Sequence, residues 1–273
     1  MKKCTSLVIL LFIAVTATAQ IKGNRNVVNK QRNLESFSSV EISGSFEVII
    51  KRGEVALAEI EADENLQDLI RTDVVNNVLI VRSEKNIKRA KRERIMLKVP
   101  SNLEKITLKD EVELDLSDGI NFPDLEIQTL DDSKLYATLT TSNFKLIAGN
   151  DSKIELNLTT KKQAYIQLNG KSYLKALING PSLKIDTYED AKARIEGTVE
   201  DFRLRTDHST EFEGEKLTAT NASVTAEGRS KNEISVIKNL RLIAKNRSET
   251  RIYNNPKIEL IEFSDQAVLR KEK

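Results

Sequence analysis

The stretch LEIQTLDDSKLYATL (Leu125 to Leu139) is followed by FKLIAGNDSKIELNL (Phe144 to Leu158), and the two align without a gap. The pattern returns in AYIQLNGKSYLKALI from Ala164, LKIDTYEDAKARIEG from Leu183, FRLRTDHSTEFEG from Phe202, ASVTAEGRSKNEISV from Ala222, LRLIAKNRSETRIYN from Leu240 and IELIEFSDQAVLRKE from Ile258. Copies begin 18 to 20 residues apart, and self-similarity at a fixed short period marks a stacked array. Each copy opens with apolar residues two apart, in the columns Leu125, Phe144, Ala164, Leu183, Phe202, Ala222, Leu240, Ile258 and Ile127, Leu146, Ile166, Ile185, Leu204, Val224, Leu242, Leu260. Period two with polar residues between is a strand that shows one face to a core.

A polar or glycine-bearing corner comes next (DDS, GND, NGK, YED, TDH, EGR, KNR, FSD), then a second alternating strand. Asn, Asp and Gly suit tight corners because they tolerate left-handed backbone angles or bond back to nearby amides. Eight positions into most copies stands a small residue: Ser133, Ser152, Ser172, Ala191, Thr210, Ser230, Ser248. An inward-turning corner has room for no more, and the hydroxyl is expected to bond corner backbone. A unit this small buries nothing alone, whereas stacking at the strand spacing of ~4.8 Å turns equivalent positions into continuous inward ladders. The fold expected is an all-β, parallel β-solenoid (β-helix), right-handed by the crossover rule. An antiparallel sandwich would not hold this phase across eight units.

Outward from the repeat, VEISGSFEVIIKRG (Val40 to Gly53) has the same strand, corner, strand form and reads as a founding unit. DENLQDLIRT (Asp63 to Thr72) places Leu66, Leu69 and Ile70 at helical spacing, a short helix suited to capping an open solenoid end. VVNNVLIV (Val74 to Val81) reads as strand or hairpin around Asn76-Asn77, and RIMLKVP and LEKITLKDEVELDL return to strands. The charges of the terminal LRKEK are expected to keep the last edge from pairing with a second molecule. The domain reading is a signal peptide over 1–19 and a single solenoid domain over 20–273, irregular over 38–116 and regular over 125–273.

The N-terminus supplies the compartment. In MKKCTSLVILLFIAVTATAQ, Lys2 and Lys3 precede the apolar run Leu7 to Val15, and Ala17-Thr18-Ala19 forms a small-residue cleavage site, the order of a secretory signal peptide. The apolar run is about half the ~20 residues that span a bilayer, so no transmembrane span is expected in the mature chain. The only cysteine, Cys4, lies inside that segment, so the mature chain is thiol-free, as suits an oxidising compartment. Removing Lys2 and Lys3 from 43 Lys and Arg leaves 41 against 41 Asp and Glu, a formally neutral mature protein with no bulk pull on an acidic partner. Aromatic content of 5% and the absence of Trp leave few stacking platforms for sugars.

The signal peptide, the opening GNRNVVNKQRNLESFSSVEISGSFEVIIKRG (Gly23 to Gly53), the segment NLQDLIRTDVVNNVLIVRS and the later repeats resemble the head GIN domain proteins, exported autotransporter-adhesin-like proteins of the Bacteroidetes. The most specific part of the resemblance is Val40 to Gly53, followed by Asn65-Leu66 and the strand Val78-Leu79-Ile80. It covers nearly the whole mature chain and implies a β-solenoid in the periplasm, outer membrane or cell surface.

Chemistry-bearing residues are sparse. His208, the only histidine, sits in the corner TDHST beside Asp207 and Ser209, where pleated neighbours diverge and a catalytic triad does not assemble. One histidine and no mature cysteine argue against zinc. Corner acids Asp131, Asp132, Asp151, Glu189, Asp190 and Asp207 offer oxygen ligands for Ca²⁺, but the calcium-binding β-roll nonapeptide is missing and Lys134, Lys153 and Lys171 are interleaved. No phosphate-binding loop or dinucleotide fingerprint is present, and no cofactor is expected. The densest charge run, RSEKNIKRAKRER (Arg82 to Arg94), makes Lys85, Lys88, Arg89, Lys91 and Arg92 candidates for contact with an acidic polymer, against the plainer reading of a solvated loop. Export removes nucleic acid as a partner and leaves a glycan or an envelope protein. The function expected is a non-catalytic exported scaffold or adhesin. The alternatives are a carbohydrate-active enzyme on the same fold, needing paired carboxyls beside aromatics, and a purely structural envelope protein.

Overall fold

The computed structural model describes residues 21–84 and 87–272, with the Lys88 side chain left aside. The expected signal peptide therefore lies outside the described residues.

The corners set the architecture. At Asp110, Asp131, Asn150, Gly170, Glu189, His208, Gly228, Asn246 and Asp265 the backbone is left-handed, with φ between 55° and 68°. Asn, Asp and Gly reach this region at least cost, which accounts for most of the set. Each corner stacks on the last through its main chain: Lys171 N–H donates to Asn150 O at 2.7 Å, Asp190 to Gly170 O at 2.9 Å and Arg229 to His208 O at 2.6 Å. The small residue two positions on points inward and is wholly buried at Ser133, Ser152, Ser172, Ala191, Ser230 and Ser248.

Along the chain, β1 (Ile21–Lys22) and β2 (Val27–Asn33) precede the half-coils β3 (Ser39–Gly44) and β4 (Glu47–Arg52). Next come β5 (Leu57–Asp63), a 3₁₀ helix (Glu64–Leu69), β6 (Ile70–Val75), β7 (Val78–Ser83), β8 (Ile87–Lys88) and β9 (Glu93–Val99). The regular stack runs from β10 (Lys105–Asp110) through β11 (Glu113–Thr129), β12 (Lys134–Ala148), β13 (Lys153–Leu168), β14 (Tyr173–Thr187), β15 (Lys192–Thr206), β16 (Glu211–Ala226) and β17 (Lys231–Ala244). It closes with β18 (Glu249–Tyr253), β19 (Lys257–Phe263) and β20 (Val268–Lys271). From β11 to β17 one long strand wraps most of a coil, pairs in parallel with its neighbours and bends at register slips such as Thr159/Gln163. The result is the expected parallel β-solenoid, about nine turns of ~19 residues.

The expected inward ladders are buried from Leu125 to Leu240 and from Ile127 to Leu242. Each fully buried Leu or Ile stabilises by about 1.5–3 kcal/mol, and only stacking completes that burial. The corner hydroxyls differ from expectation. Instead of bonding corner backbone, Ser152 Oγ accepts from Thr129 Oγ1 at 3.2 Å and Ser230 Oγ from Thr206 Oγ1 at 3.0 Å, in the dry interior. Those of Ser133, Ser172 and Ser248 have no hydrogen-bond partner among the described residues.

The N-terminal portion is ordered differently in space and in sequence. The unit Val40 to Gly53 belongs to the stack but does not begin it: β7 pairs in parallel with β3 (Leu79 opposite Val40), and β9 with β4 (Ile95 opposite Val48). Strands β7 and β9 thus form a coil below the one that precedes them in the chain, and β10 resumes on its other side (Ile106 opposite Val40). Asn76 and Asn77 take left-handed φ of 49° and 65°, the tight turn of the antiparallel β6–β7 hairpin, as Asn-Asn foretells. Antiparallel β5 and β2 finish the other face. The expected capping helix is a 3₁₀ turn, with Leu66 buried beneath it and Ile70 already in a strand.

Candidate functional site

Most coils turn in four residues, as at 130–133 and 149–152, but the coil made by β7 and β9 turns through residues 84–92, the core of the basic run. This long corner is anchored rather than free. Strand β8 pairs in parallel with β1, Ile87 opposite Ile21. Asp63, wholly buried at the end of β5, accepts hydrogen bonds from the main-chain N–H of Arg25 (3.1 Å) and of Lys91 (3.2 Å). Charge-assisted bonds of this kind are the strong ones. Gly23 passes so near that a Cβ there would lie 1.7 Å from Asp63 Oδ2, so any larger residue must push the Asp63 carboxylate out of its place. Glu93 lies alongside, and burial, followed by the charge of Asp63, pushes its carboxyl up to about 7.

The five candidate cations separate. Arg92 is committed to the fold, with its guanidinium 3.3 Å from Glu47 and 3.6 Å from Glu61, while Arg94 shares Glu47 at 3.5 Å. Arg89 and Lys91 project from the exposed part of the corner, and no carboxylate among the described residues lies within ion-pair distance of either. Arg89 holds a left-handed φ of 58°. Lys85 lies outside the described residues, and of Lys88 only the main chain is described. Beside the corner open two hollows of about 820 and 520 Å³, whose far walls carry Asp110, Glu111 and Asp132. The basic corner therefore borders an acidic stripe, a proximity that the sequence separation of residues 84–92 from 110–132 concealed.

Of the corner acids, Asp131 and Asp265 have structural work. Asp131 Oδ2 accepts from Asp110 N–H at 3.2 Å and Oδ1 from Asn150 Nδ2 at 2.7 Å, and Asp265 Oδ2 accepts from Asn246 N–H at 3.0 Å. A carboxylate so used ties one coil to the next. Among the described residues no three His, Cys, Asp or Glu side chains gather in a metal-sized group. His208 occupies the left-handed position of its corner, its Nδ1 3.5 Å from Asp207 Oδ2 and its side chain well exposed.

The outer faces are laddered with ion pairs. Glu126 lies between Lys105 (3.1 Å) and Lys145 (3.0 Å). Burial raises its carboxyl, and the two lysines outweigh that, holding it below the usual range. Lys134 meets Glu113, Lys192 meets Glu211, Arg194 meets Glu213, and Arg251 reaches Glu233 and Glu249. Two shallow grooves interrupt the ladders. One, of about 780 Å³, runs from the turn at Ser101–Glu104 to Phe144 and Tyr165, and the other, of about 590 Å³, carries Tyr136, Asn157 and Leu177. The Tyr165 ring is already occupied: Lys184 Nζ sits 4.7 Å from its centroid, and its hydroxyl meets Gln167 and Asp186 at 3.0 Å. The groove residues come from bends in different coils, so no local motif announces them.

No helix among the described residues is long and apolar enough to cross a membrane. Comparison with solved structures matches a "putative adhesin" from Parabacteroides merdae at TM-score 0.69 and 14% identity, covering 93% of this chain and 99% of that one. A second "putative adhesin", from Parabacteroides distasonis, matches at TM-score 0.68 and 13% identity over 92% and 100%. A "putative lipid binding protein" from the same organism matches at 0.54 and 14% over 93% and 97%. At such identity these likenesses concern the fold alone. No curated protein matches the sequence. The family model described as "Putative auto-transporter adhesin, head GIN domain" matches residues 36–176 and 158–256, which takes in the folded-back N-terminal coil and nearly all of the regular stack; the chain belongs to the head GIN domain family.

Proposed function

We propose that the protein is an exported, non-catalytic binding scaffold of the cell envelope or surface, with residues 20–273 acting as one solenoid unit. The long basic corner contacts acidic polysaccharide or a similarly anionic envelope component. The observation that carries this reading is the corner itself: where the β3–β4 and β10–β11 corners take two residues and those of the later coils four, this one is longer, pinned by Asp63 and β1, and holds Arg89 and Lys91 outward. Fixed cations lose less freedom on binding than mobile ones, which favours a pinned corner over a loose tail. Lys85 and Lys88 belong to the same run and extend the proposed contact. Supporting a non-catalytic role, the outer carboxylates are spread along ion-pair ladders instead of gathered beside an open aromatic cleft. Supporting export are the N-terminal pattern, the thiol-free mature chain and membership of this family.

The test is retention of purified residues 20–273 on immobilised heparin and on lipopolysaccharide-coated surfaces, with a variant carrying Lys85, Lys88, Arg89 and Lys91 changed to Glu. Wild-type protein retained at low salt and released as salt rises, with the variant in the flow-through at unchanged thermal midpoint, is the expected result. Equal retention of the two proteins removes the corner as the site. No retention of either on any matrix favours a structural envelope role without a soluble ligand.

A further inference from the structure

The folding back of the N-terminal coil sets corners of opposite charge on the two sides of a neutral one. In space the coils follow the order β7–β9, β3–β4, β10–β11, β11–β12, so one corner separates the basic residues 84–92 from Asp110, and two separate them from Asp132. At ~4.8 Å per coil these spans are about 10 and about 14 Å, too wide for a direct ion pair. The corner between turns through Gly44 and Ser45. Gly44 has a φ of 121°, and a Cβ on it would lie 2.9 Å from the Phe46 ring, so a side chain there, which would fill the gap, is disfavoured twice over. The two hollows beside the basic corner share Ser45, Ala90, Glu93 and Glu111, and so form one trough with this corner as its floor.

Some of the charges in the trough are already used. Glu84 meets Arg71 at 2.6 Å, Glu113 meets Lys134 at 3.2 Å, and Glu111 accepts from Ser45 Oγ at 3.1 Å. Arg89 and Lys91 on one wall, and Asp110 and Asp132 on the other, are exposed, and their side chains have no ion pair or hydrogen bond among the described residues. Both walls are fixed in place: the main chain of Lys91 is held by Asp63, and that of Asp110 donates to Asp131 of the next coil.

We infer that this trough takes a glycan bearing both acid groups and free amines, its acids held by Arg89 and Lys91 and its ammonium groups by Asp110 and Asp132. The inference rests on the polyanion contact proposed for the basic corner and narrows it. A wholly anionic chain lying across the trough sets its charge against Asp110 and Asp132, and a wholly cationic one against Arg89 and Lys91. Only a chain of both signs suits both walls, and the mismatched wall is what discriminates.

The experiment compares two heparins of one backbone by surface plasmon resonance on residues 20–273. One is N-desulfated and carries free glucosamine amines. The other is re-N-acetylated, which caps those amines and leaves the chain more negative. The N-desulfated form is expected to bind about fivefold tighter, the yield of two exposed ion pairs, although simple attraction to a basic patch gives the opposite order. Asp110→Asn with Asp132→Asn should erase the preference while keeping affinity for the acetylated form, since Asn suits the left-handed position of Asp110. Asp132→Asn alone should reduce it, and circular dichroism melts check folding. Arg89→Gln with Lys91→Gln should weaken both heparins. Equal or tighter binding of the acetylated form overturns the inference and leaves the polyanion contact standing, and so does a preference that survives in the Asn variants. Binding of neither heparin overturns the polyanion contact, and this inference with it.

Discussion

Replacing Gly228 by alanine, set beside the same change at Gly119, separates two costs of a side chain at a left-handed glycine. Gly228 has φ of 68°, and a Cβ built on it falls 2.6 to 2.8 Å from the N, O and Cα of His208 in the coil below. Gly119 has a comparable φ of 75°, but a Cβ there meets nothing within 4 Å. Alanine at either position bears the left-handed penalty of roughly 1–2 kcal/mol. Only at Gly228 must the stack also give way, by about 0.8 Å, from 2.6 Å to the 3.4 Å at which ordinary contact begins. The two corners are joined by the 2.6 Å bond from Arg229 N–H to His208 O, so the strain falls on the backbone and cannot be relieved by a rotamer. Overpacking against such a wall costs about 1–3 kcal/mol. The expected loss is thus ~1–2 kcal/mol for Gly119→Ala and ~2–5 kcal/mol for Gly228→Ala. Urea unfolding of both variants followed by circular dichroism measures the difference, and hydrogen exchange at Arg229 and Arg247 reports whether it is local. Equal destabilisation of the two variants would refute the idea that the corners stack in direct main-chain contact.

The corner hydroxyls offer a paired test: Ser230→Ala strips the acceptor from Thr206 and from Asn232 Nδ2 and should cost about 1–3 kcal/mol, while Ser172→Ala, whose hydroxyl has no partner, should be neutral or stabilising in the same urea titration. Truncating a mid-stack ladder residue, Ile166→Ala, should cost about 2–5 kcal/mol in calorimetry, since the site is covered by coils on both sides and a cavity remains. The Glu93 carboxyl titrates near 7 in the fold against an ordinary value of 4.5, so between those values the folded state holds a proton that the unfolded chain has lost. Stability therefore falls as pH rises through that window, and Glu93→Gln should flatten the dependence in thermal melts; an unchanged slope would clear Glu93 of the role. Truncating Arg92 to Ala removes its contacts with Glu47 and Glu61 and should lower the thermal midpoint slightly, as exposed pairs are worth about 0–1 kcal/mol, with polymer retention largely kept.

The coil is written locally in the chain. Alternation at Leu125, Ile127 and their successors, and Asp, Asn or Gly where the backbone turns left-handed, are local signals, legible because strand pleat and corner geometry are satisfied within a few residues. The hairpin at Asn76-Asn77 was readable for the same reason. Tertiary structure decided what depends on which coil meets which. One apolar ladder fits another wherever it is placed, so nothing in Val40 to Gly53 announces that β7 and β9 stack beneath it or that Arg92 is drawn to Glu47 and Glu61 while Arg89 and Lys91 stay outward. The same non-locality hid the state of the C-terminal coil. Ile258 and Leu260 carry the same pattern as their buried predecessors yet are exposed, because the burial of a ladder residue depends on a covering coil and not on the pattern itself.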